Sequence, residues 1–240
     1  MAHGAHKMND TEYTAAGNDA ADSPAIPGHN CDGCVNYTLC HPESRKGSNR
    51  PSIDGPQEEK KMTVVMLADG FEEIEALTPV DVLRRAGLTV RTAGVGGRVI
   101  TGSHGISVAC DMTEDEVRAE EVDLLLLPGG MPGAKNLDAS PIVDRLIREA
   151  NARGGRLAAI CAAPFILGRR GLLSGKEATC YPGFEGELTG ARLSSLPVVT
   201  DGNITTAKGM GVALDFALEL VSVLLSDDAA KKIADSVQKQ

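Results

Sequence analysis

The sequence predicts an α/β domain, a mostly parallel central sheet with helices on both faces. Three observations carry that reading. Short apolar runs alternate with stretches of helical periodicity from Met62 onward, the pattern of strands joined by crossover helices. The runs are apolar at nearly every position, as strands covered on both faces require. One of them, residues 122–127, stops at Pro128-Gly129-Gly130, a turn signal at a strand's carboxyl end.

The elements follow in order. Residues 62–68 are aliphatic and β-branched and read as a buried strand. Residues 72–86 place Ile74, Leu77, Val80, Val82 and Leu83 at helical spacing and end at Gly87, a helix-stop signal. Residues 88–94 are a second strand, and 99–109, broken at Gly102 and Gly105, a small antiparallel ribbon. Residues 122–127, apolar but for Asp123, are a buried strand, 142–152 an amphipathic helix and 157–160 the next buried strand. A helix over 162–170 has Gly171 behind it. Residues 198–200 and 204–207 bracket Asp201-Gly202-Asn203 as a hairpin, and helices over 213–225 and 228–238 close the chain.

In sheets of this kind the reactive groups gather at the carboxyl ends of the strands. Four segments reach that edge: residues 69–75, Pro128-Gly129-Gly130, Cys161-Ala162 and Gly209-Met210-Gly211. The last lacks the lysine and the spacing of a phosphate-binding loop.

The 240 residues are 42% hydrophobic, and the large aliphatics are concentrated in 62–240. Residues 1–61, rich in Gly, Asn, Ser, Pro, Asp and His, read as a disordered or weakly structured extension. A net charge of −9 without a basic stripe argues against nucleic-acid binding. No apolar run approaches the roughly 20 residues of a membrane span. The N-terminus is polar with no signal peptide, so a cytoplasmic protein is expected.

Six cysteines without an export signal do not suggest a disulfide framework. In the extension, Cys31, Cys34, Cys40 and His41 match zinc or iron ligands by type, but no second C-x2-C pair follows. The alternatives are a flexible, redox-sensitive extension, or an upstream start with Met62 as the natural initiator.

The chemistry centres on Cys161. The run Leu157-Ala158-Ala159-Ile160 ends at this cysteine, two alanines leave room for a tight elbow, and Pro164 suits a first helical turn. A thiol at the start of a helix meets its positive end, which favours thiolate. A buried structural cysteine is the plainer alternative. A nucleophilic cysteine needs a partner that tunes its protonation, and the only histidine of the domain, His104, falls on the ribbon. Glu72, Glu73 and Glu75 sit at the first strand–helix junction. One of them, held protonated by burial, would hydrogen-bond a thiolate and move its proton. The others would complement the helix dipole, as expected first for Glu72 and next for Glu73. Backbone N–H groups of Gly130 and Ala162 are candidates for an oxyanion hole.

These segments together resemble the ThiJ/PfpI superfamily, in its Parkinson-associated deglycase branch. The carrying residues are 70–75, 79–87, Leu127-Pro128-Gly129-Gly130, residues 158–164 and Asp215-Phe216-Ala217-Leu218, in family order across 62–240. The resemblance implies a flavodoxin-like three-layer sandwich, related to the class I glutamine amidotransferase-like domain and usually a homodimer. It implies that Cys161 is the reactive cysteine, Glu75 the carboxyl that bonds it, Gly130 and Ala162 the oxyanion donors, and Arg85 a basic residue near the site and the dimer interface. It further implies glyoxalase activity without glutathione, deglycation of modified amino groups, chaperone activity or oxidative-stress sensing, with small aldehydes or glycated proteins as partners and no cofactor. Peptidase-type relatives carry His directly after the cysteine; Ala162 here argues against peptidase chemistry. Many deglycase-branch members have His before a proline where this chain has Tyr181-Pro182, beside Cys180. His104, approaching from a partner subunit, is one candidate substitute, and Cys180 is a candidate partner for an oxidised Cys161.

Overall fold

The computed structural model describes residues 61–239. The candidate metal ligands Cys31, Cys34, Cys40 and His41 lie outside the described residues.

Seven strands form the main sheet: β1 (Met62–Leu67), β2 (Val90–Gly94), β5 (Met112–Thr113), β6 (Val122–Leu127), β7 (Arg156–Ile160), β10 (Val198–Asp201) and β11 (Ile204–Ala207). Two small two-stranded sheets complete the strands. One pairs β3 (Val99–Thr101) with β4 (Ser107–Ala109), the expected ribbon; the other pairs β8 (Glu177–Ala178) with β9 (Arg192–Leu193). The main sheet runs in the order β10-β11-β7-β6-β1-β2-β5. All its pairings are parallel except β10 on β11, the expected hairpin at one edge.

The helices are α1 (Glu73–Arg85), α2 (Gly133–Ala139), α3 (Pro141–Ala152), α4 (Pro164–Arg169), α5 (Ala213–Leu224) and α6 (Asp227–Ser236). One face of the sheet packs Val64, Met66, Leu125 and Leu127 against Leu137, Leu146, Ile147, Phe165 and Ile166 of α2, α3 and α4. The other packs Val65, Leu67, Leu124 and Leu126 against Val80, Leu83, Phe216, Leu220 and Val221 of α1 and α5. Successive residues of β1 and β6 thus enter opposite cores, which is why both strands are apolar at almost every position. The result is an α/β three-layer sandwich of flavodoxin-like architecture.

Several boundaries differ from the sequence expectation. Leu88 closes α1 by donating to the Leu83 carbonyl (3.1 Å), so β2 begins at Val90 rather than at 88. Residues 162 and 163 form a turn, and α4 starts at Pro164. Among the strands and α-helices, four were not anticipated, β5, α2, β8 and β9.

From β1 the chain winds outward through β2 to β5, then returns to β6 and winds the other way through β7 to β11. The order reverses between β1 and β6, and a crevice opens at the carboxyl ends of strands at such a point. The segments after β1, β6 and β7 all meet there.

Candidate active site

Cys161 follows the last residue of β7 with a φ of 63°. That is left-handed backbone for a residue with a side chain, a conformation costing on the order of 1–2 kcal/mol. The surroundings enforce it: the Cys161 N–H donates to the Ala207 carbonyl of β11 (2.9 Å), and its carbonyl accepts the Tyr181 N–H (2.8 Å). Pro164 then begins α4, as its missing N–H allows.

Glu75 comes from the first turn of α1. Glu72 caps that helix, its Oε2 accepting the Glu75 N–H at 2.7 Å. Glu75 is only 1% exposed. Its Oε2 accepts the Gly129 N–H (3.0 Å), and the carboxyl is also bonded by the Met210 backbone and the Cys161 thiol. The N–H groups of Ala162 and Gly130 point at the Cys161 sulfur. The sulfur is therefore ringed by two backbone donors and one carboxyl.

The glycines after β6 are required by closeness. A Cβ on Gly129 would lie 2.5 Å from Glu75 Oε2 and 2.6 Å from Cys161 Cβ. Gly130 has a φ of 85°, and a Cβ there would lie 2.3 Å from the Glu72 nitrogen.

The electrostatics follow from burial. Desolvation, opposed by the hydrogen bonds it accepts, raises the Glu75 carboxyl from its ordinary value to about 7. Burial, joined by the negative charge and the hydrogen bond of Glu75, pushes the Cys161 thiol up to about 12, against the lowering by the Ala162 and Gly130 donors. This corrects the expectation that the helix start favours thiolate: the backbone donors do pull that way, but burial and the carboxylate outweigh them. Two of the three raising causes come from Glu75, so the sites behave as a coupled pair that gives up one proton near neutrality and the second only at high pH. In the singly ionised pair the charge is shared between two arrangements. When it sits on sulfur, the protonated Glu75 and the N–H groups of Ala162 and Gly130 all donate to it.

Tyr181 lies beside this centre. A Cβ on Gly209 would be 3.4 Å from Tyr181 Cδ2, 3.7 Å from Glu75 Oε1 and 3.8 Å from Cys161 Sγ. The tyrosine ring is half exposed, and its backbone ties the following loop to the cysteine.

His104 and Arg85 are not brought to the thiol within this chain. His104 donates its backbone N–H to Glu73 Oε1 (2.7 Å), and its Nδ1 lies 2.8 Å from Glu73 Oε2. Glu73 is about 200° around α1 from Glu75, so the histidine serves the opposite side of the helix. Its imidazole pKa is raised by the hydrogen bond and charge of Glu73, whose carboxyl falls to about 2 because the bonds from His104 outweigh its burial. Arg85 ends α1, about 15 Å along the axis from Glu75, and its Nε bonds Asp81 Oδ2 at 2.6 Å. Cys180 is buried among the core residues of the α2–α4 face, whereas Cys161 packs against the other core. Its thiol is pushed up to about 11 by burial, which suits packing rather than exchange. Cys110 is likewise buried, its thiol raised by desolvation.

The geometry also brings in groups that sequence reasoning passed over. The N–H groups of Gly129 and Met210 hold the Glu75 carboxyl. Both segments were marked as strand-end loops, but backbone donors carry no residue signature.

A cysteine on a strained elbow, a buried carboxyl against it and two N–H donors converge at one strand edge. The family model described as DJ-1/PfpI matches residues 61–223. The chain belongs to the DJ-1/PfpI family. It is 37% identical over 177 residues to the protein dj-1beta of Drosophila melanogaster, covering 72% of this chain and 95% of that protein. It is 30% identical over 168 residues to the glutathione-independent glyoxalase DJR-1.2 of Caenorhabditis elegans, covering 69% and 89%. Among solved structures, oxidised DJ-1 of Toxoplasma gondii superposes with a TM-score of 0.72 at 35% identity, covering 74% of this chain and 98% of that one. Drosophila DJ-1beta superposes with a TM-score of 0.70 at 35% identity, covering 75% and 98%.

Proposed function

We propose that this DJ-1/PfpI member is a cysteine-dependent enzyme acting on α-oxoaldehydes, or on the early adducts they form with protein amines, without glutathione. The observation that carries the reading is the Cys161–Glu75 contact, a thiol bonded to a carboxyl raised to about 7, where a general acid–base is most effective. The glyoxalase name of the Caenorhabditis relative supports it.

Cys161, as thiolate, attacks the aldehyde carbon. The C–S bond forms as the carbonyl pair moves onto oxygen, which the Ala162 and Gly130 N–H groups hold and the Glu75 O–H protonates. The Glu75 carboxylate then takes the hydrogen from that carbon, leaving an enediolate, and returns it to the neighbouring carbon, while the hydroxyl proton on the sulfur-bearing carbon's oxygen passes to the neighbouring oxygen. The former aldehyde carbon is now a thioester and the former ketone an alcohol, so the oxidation and reduction balance within the substrate. Water cleaves the thioester, releasing a 2-hydroxy acid and the thiol. An amine adduct enters the same sequence once sulfur displaces the amine. Glu75 serves every proton transfer, so a histidine at position 181 is dispensable in this scheme.

One observation favours a second reading. Tyr181 stands at the site and offers a phenol hydroxyl rather than an imidazole. Without turnover, the same carboxyl and N–H donors suit a sulfinate formed on Cys161 by peroxide, making the protein an oxidative-stress sensor or redox-regulated chaperone.

The test is lactate formed from methylglyoxal without glutathione by the wild type, Cys161→Ser and Tyr181→His. The enzyme reading expects lactate from the wild type and a loss of at least about 10³-fold in Cys161→Ser. Silence from the wild type with activity gained in Tyr181→His contradicts it and favours the sensor.

A further inference from the structure

The site opens on one side into a cavity of 310 Å³ lined by Tyr181, Pro182, Lys208, Met210 and Val212, with Gly209 and Gly211 as its floor. Its surface is mostly hydrocarbon. Among the described residues, Tyr181 and Met210 are large apolar side chains left 51% and 54% exposed. The one cation, Lys208, is turned away: its Nζ donates to the Ser195 carbonyl at 2.7 Å. The cavity adjoins the reacting atoms through Gly209, whose Cβ position lies 3.4 Å from the Tyr181 ring and 3.8 Å from the Cys161 sulfur. Its volume is at the lower end of the range for small-molecule pockets.

An α-oxoaldehyde bound through its aldehyde carbon to Cys161 carries its remaining substituent on the adjacent ketone carbon, one bond away. That substituent must lie in whatever space adjoins the sulfur. The Glu75 side is closed, with Glu75 and Gly129 packed to contact. The Tyr181–Met210 side is open and apolar. A methyl group leaves most of that surface wet; a phenyl or branched alkyl group covers it. We infer that this chain selects α-oxoaldehydes bearing an aryl or branched hydrocarbon substituent over methylglyoxal, with the Tyr181 ring and the Met210 side chain as the specificity-determining contacts. The inference rests on the enzyme reading above and adds its substrate class.

The reaction is unchanged. Phenylglyoxal and water give mandelate just as methylglyoxal and water give lactate, the aldehyde carbon being oxidised and the ketone carbon reduced. The measurement is kcat/KM for phenylglyoxal and for methylglyoxal, with the 2-hydroxy acids quantified directly. It is made on the full-length wild type, Tyr181→Ala, Tyr181→Phe and Met210→Ala. The two aldehydes differ in intrinsic reactivity, but that difference is common to every variant, so the change in their ratio reports the pocket alone.

The expected result is a phenylglyoxal-to-methylglyoxal ratio that falls about tenfold in Tyr181→Ala and several-fold in Met210→Ala, the scale of discrimination a hydrophobic pocket provides. In Tyr181→Phe the ratio stays within about twofold of wild type, since the ring and not the hydroxyl makes the contact. Turnover of both aldehydes with the same ratio in all four proteins overturns the pocket assignment and leaves the enzyme reading standing. No cysteine-dependent product from either aldehyde overturns both.

Discussion

Two buried carboxylates two residues apart on α1 behave in opposite ways. Glu73 is 3% exposed and Glu75 1%, yet the first is held well below the usual carboxylate range and the second above it. The difference lies in their partners. Glu73 receives the backbone N–H and the ring of His104 and the hydroxyl of Ser103, with partial or full positive charge facing its oxygens. Glu75 receives two backbone N–H groups and a thiol that itself ionises, so any second negative charge must sit beside the first. Burial alone does not decide what a carboxyl becomes. One fastens the turn between β3 and β4 to the helix; the other faces the Cys161 thiol and carries a proton in the proposed mechanism.

The contrast breaks most sharply at Glu75. Glu75→Gln is expected to lower 2-hydroxy acid formation by about 10²–10⁴-fold, the range for loss of a general acid–base. Its stability in urea at pH 8 should equal or exceed that of the wild type. Glu73→Ala should do the reverse, costing about 2 kcal/mol in urea unfolding, since it orphans hydrogen bonds to a charged group. Turnover per folded molecule should stay within a few-fold.

The pH dependence of stability separates the two as well. Glu75 holds its proton more tightly folded than unfolded, so its contribution is complete below about 4.5 and lost as pH rises through about 7. Glu73 has the opposite sign, contributing above about 4.5 and losing that contribution as pH falls toward 2. Urea midpoints across this range should show the neutral decline vanish in Glu75→Gln and the acid decline weaken in Glu73→Gln. The smallest effect is expected at His104. It is 70% exposed in its side chain, so solvent screens its pairing with Glu73, and His104→Ala should leave the urea midpoint close to that of the wild type and the aldehyde kinetics within twofold.

Sequence patterns carried the architecture because the core strands are apolar on both faces and the long helices have clear stops; Gly87 behind α1 is an example. Elements too short to show a period were illegible: β5, β8 and β9 are two residues each, and α2 is seven. The Cys161 elbow was readable from an apolar run ending at Cys-Ala-Ala-Pro. Glu75 was not separable from Glu72 and Glu73 by chemistry, since three acids at a helix start all suit its dipole. Only the family resemblance singled it out, and only the packing of Gly129 against it gives the physical reason. The contact of His104 with Glu73 was illegible for the same cause: it is fixed by the ribbon folding back on α1, a tertiary contact with no local signature. The raised thiol was missed because the helix-start rule weighs the backbone donors without the neighbouring carboxyl.

The central claim is that Cys161 and Glu75 ionise as one unit. The rate of alkylation of Cys161 by iodoacetamide, followed from pH 5 to 10 by mass spectrometry of its own peptide, tests it directly. In the wild type the rate should rise with a midpoint near pH 7, where the pair loses its first proton and a fraction of that charge resides on sulfur. In Glu75→Gln that step should disappear, leaving only the rise of a buried thiol at higher pH. Superimposable profiles in the two proteins, or a wild-type rate flat through neutrality, would contradict the shared proton and the mechanism built on it.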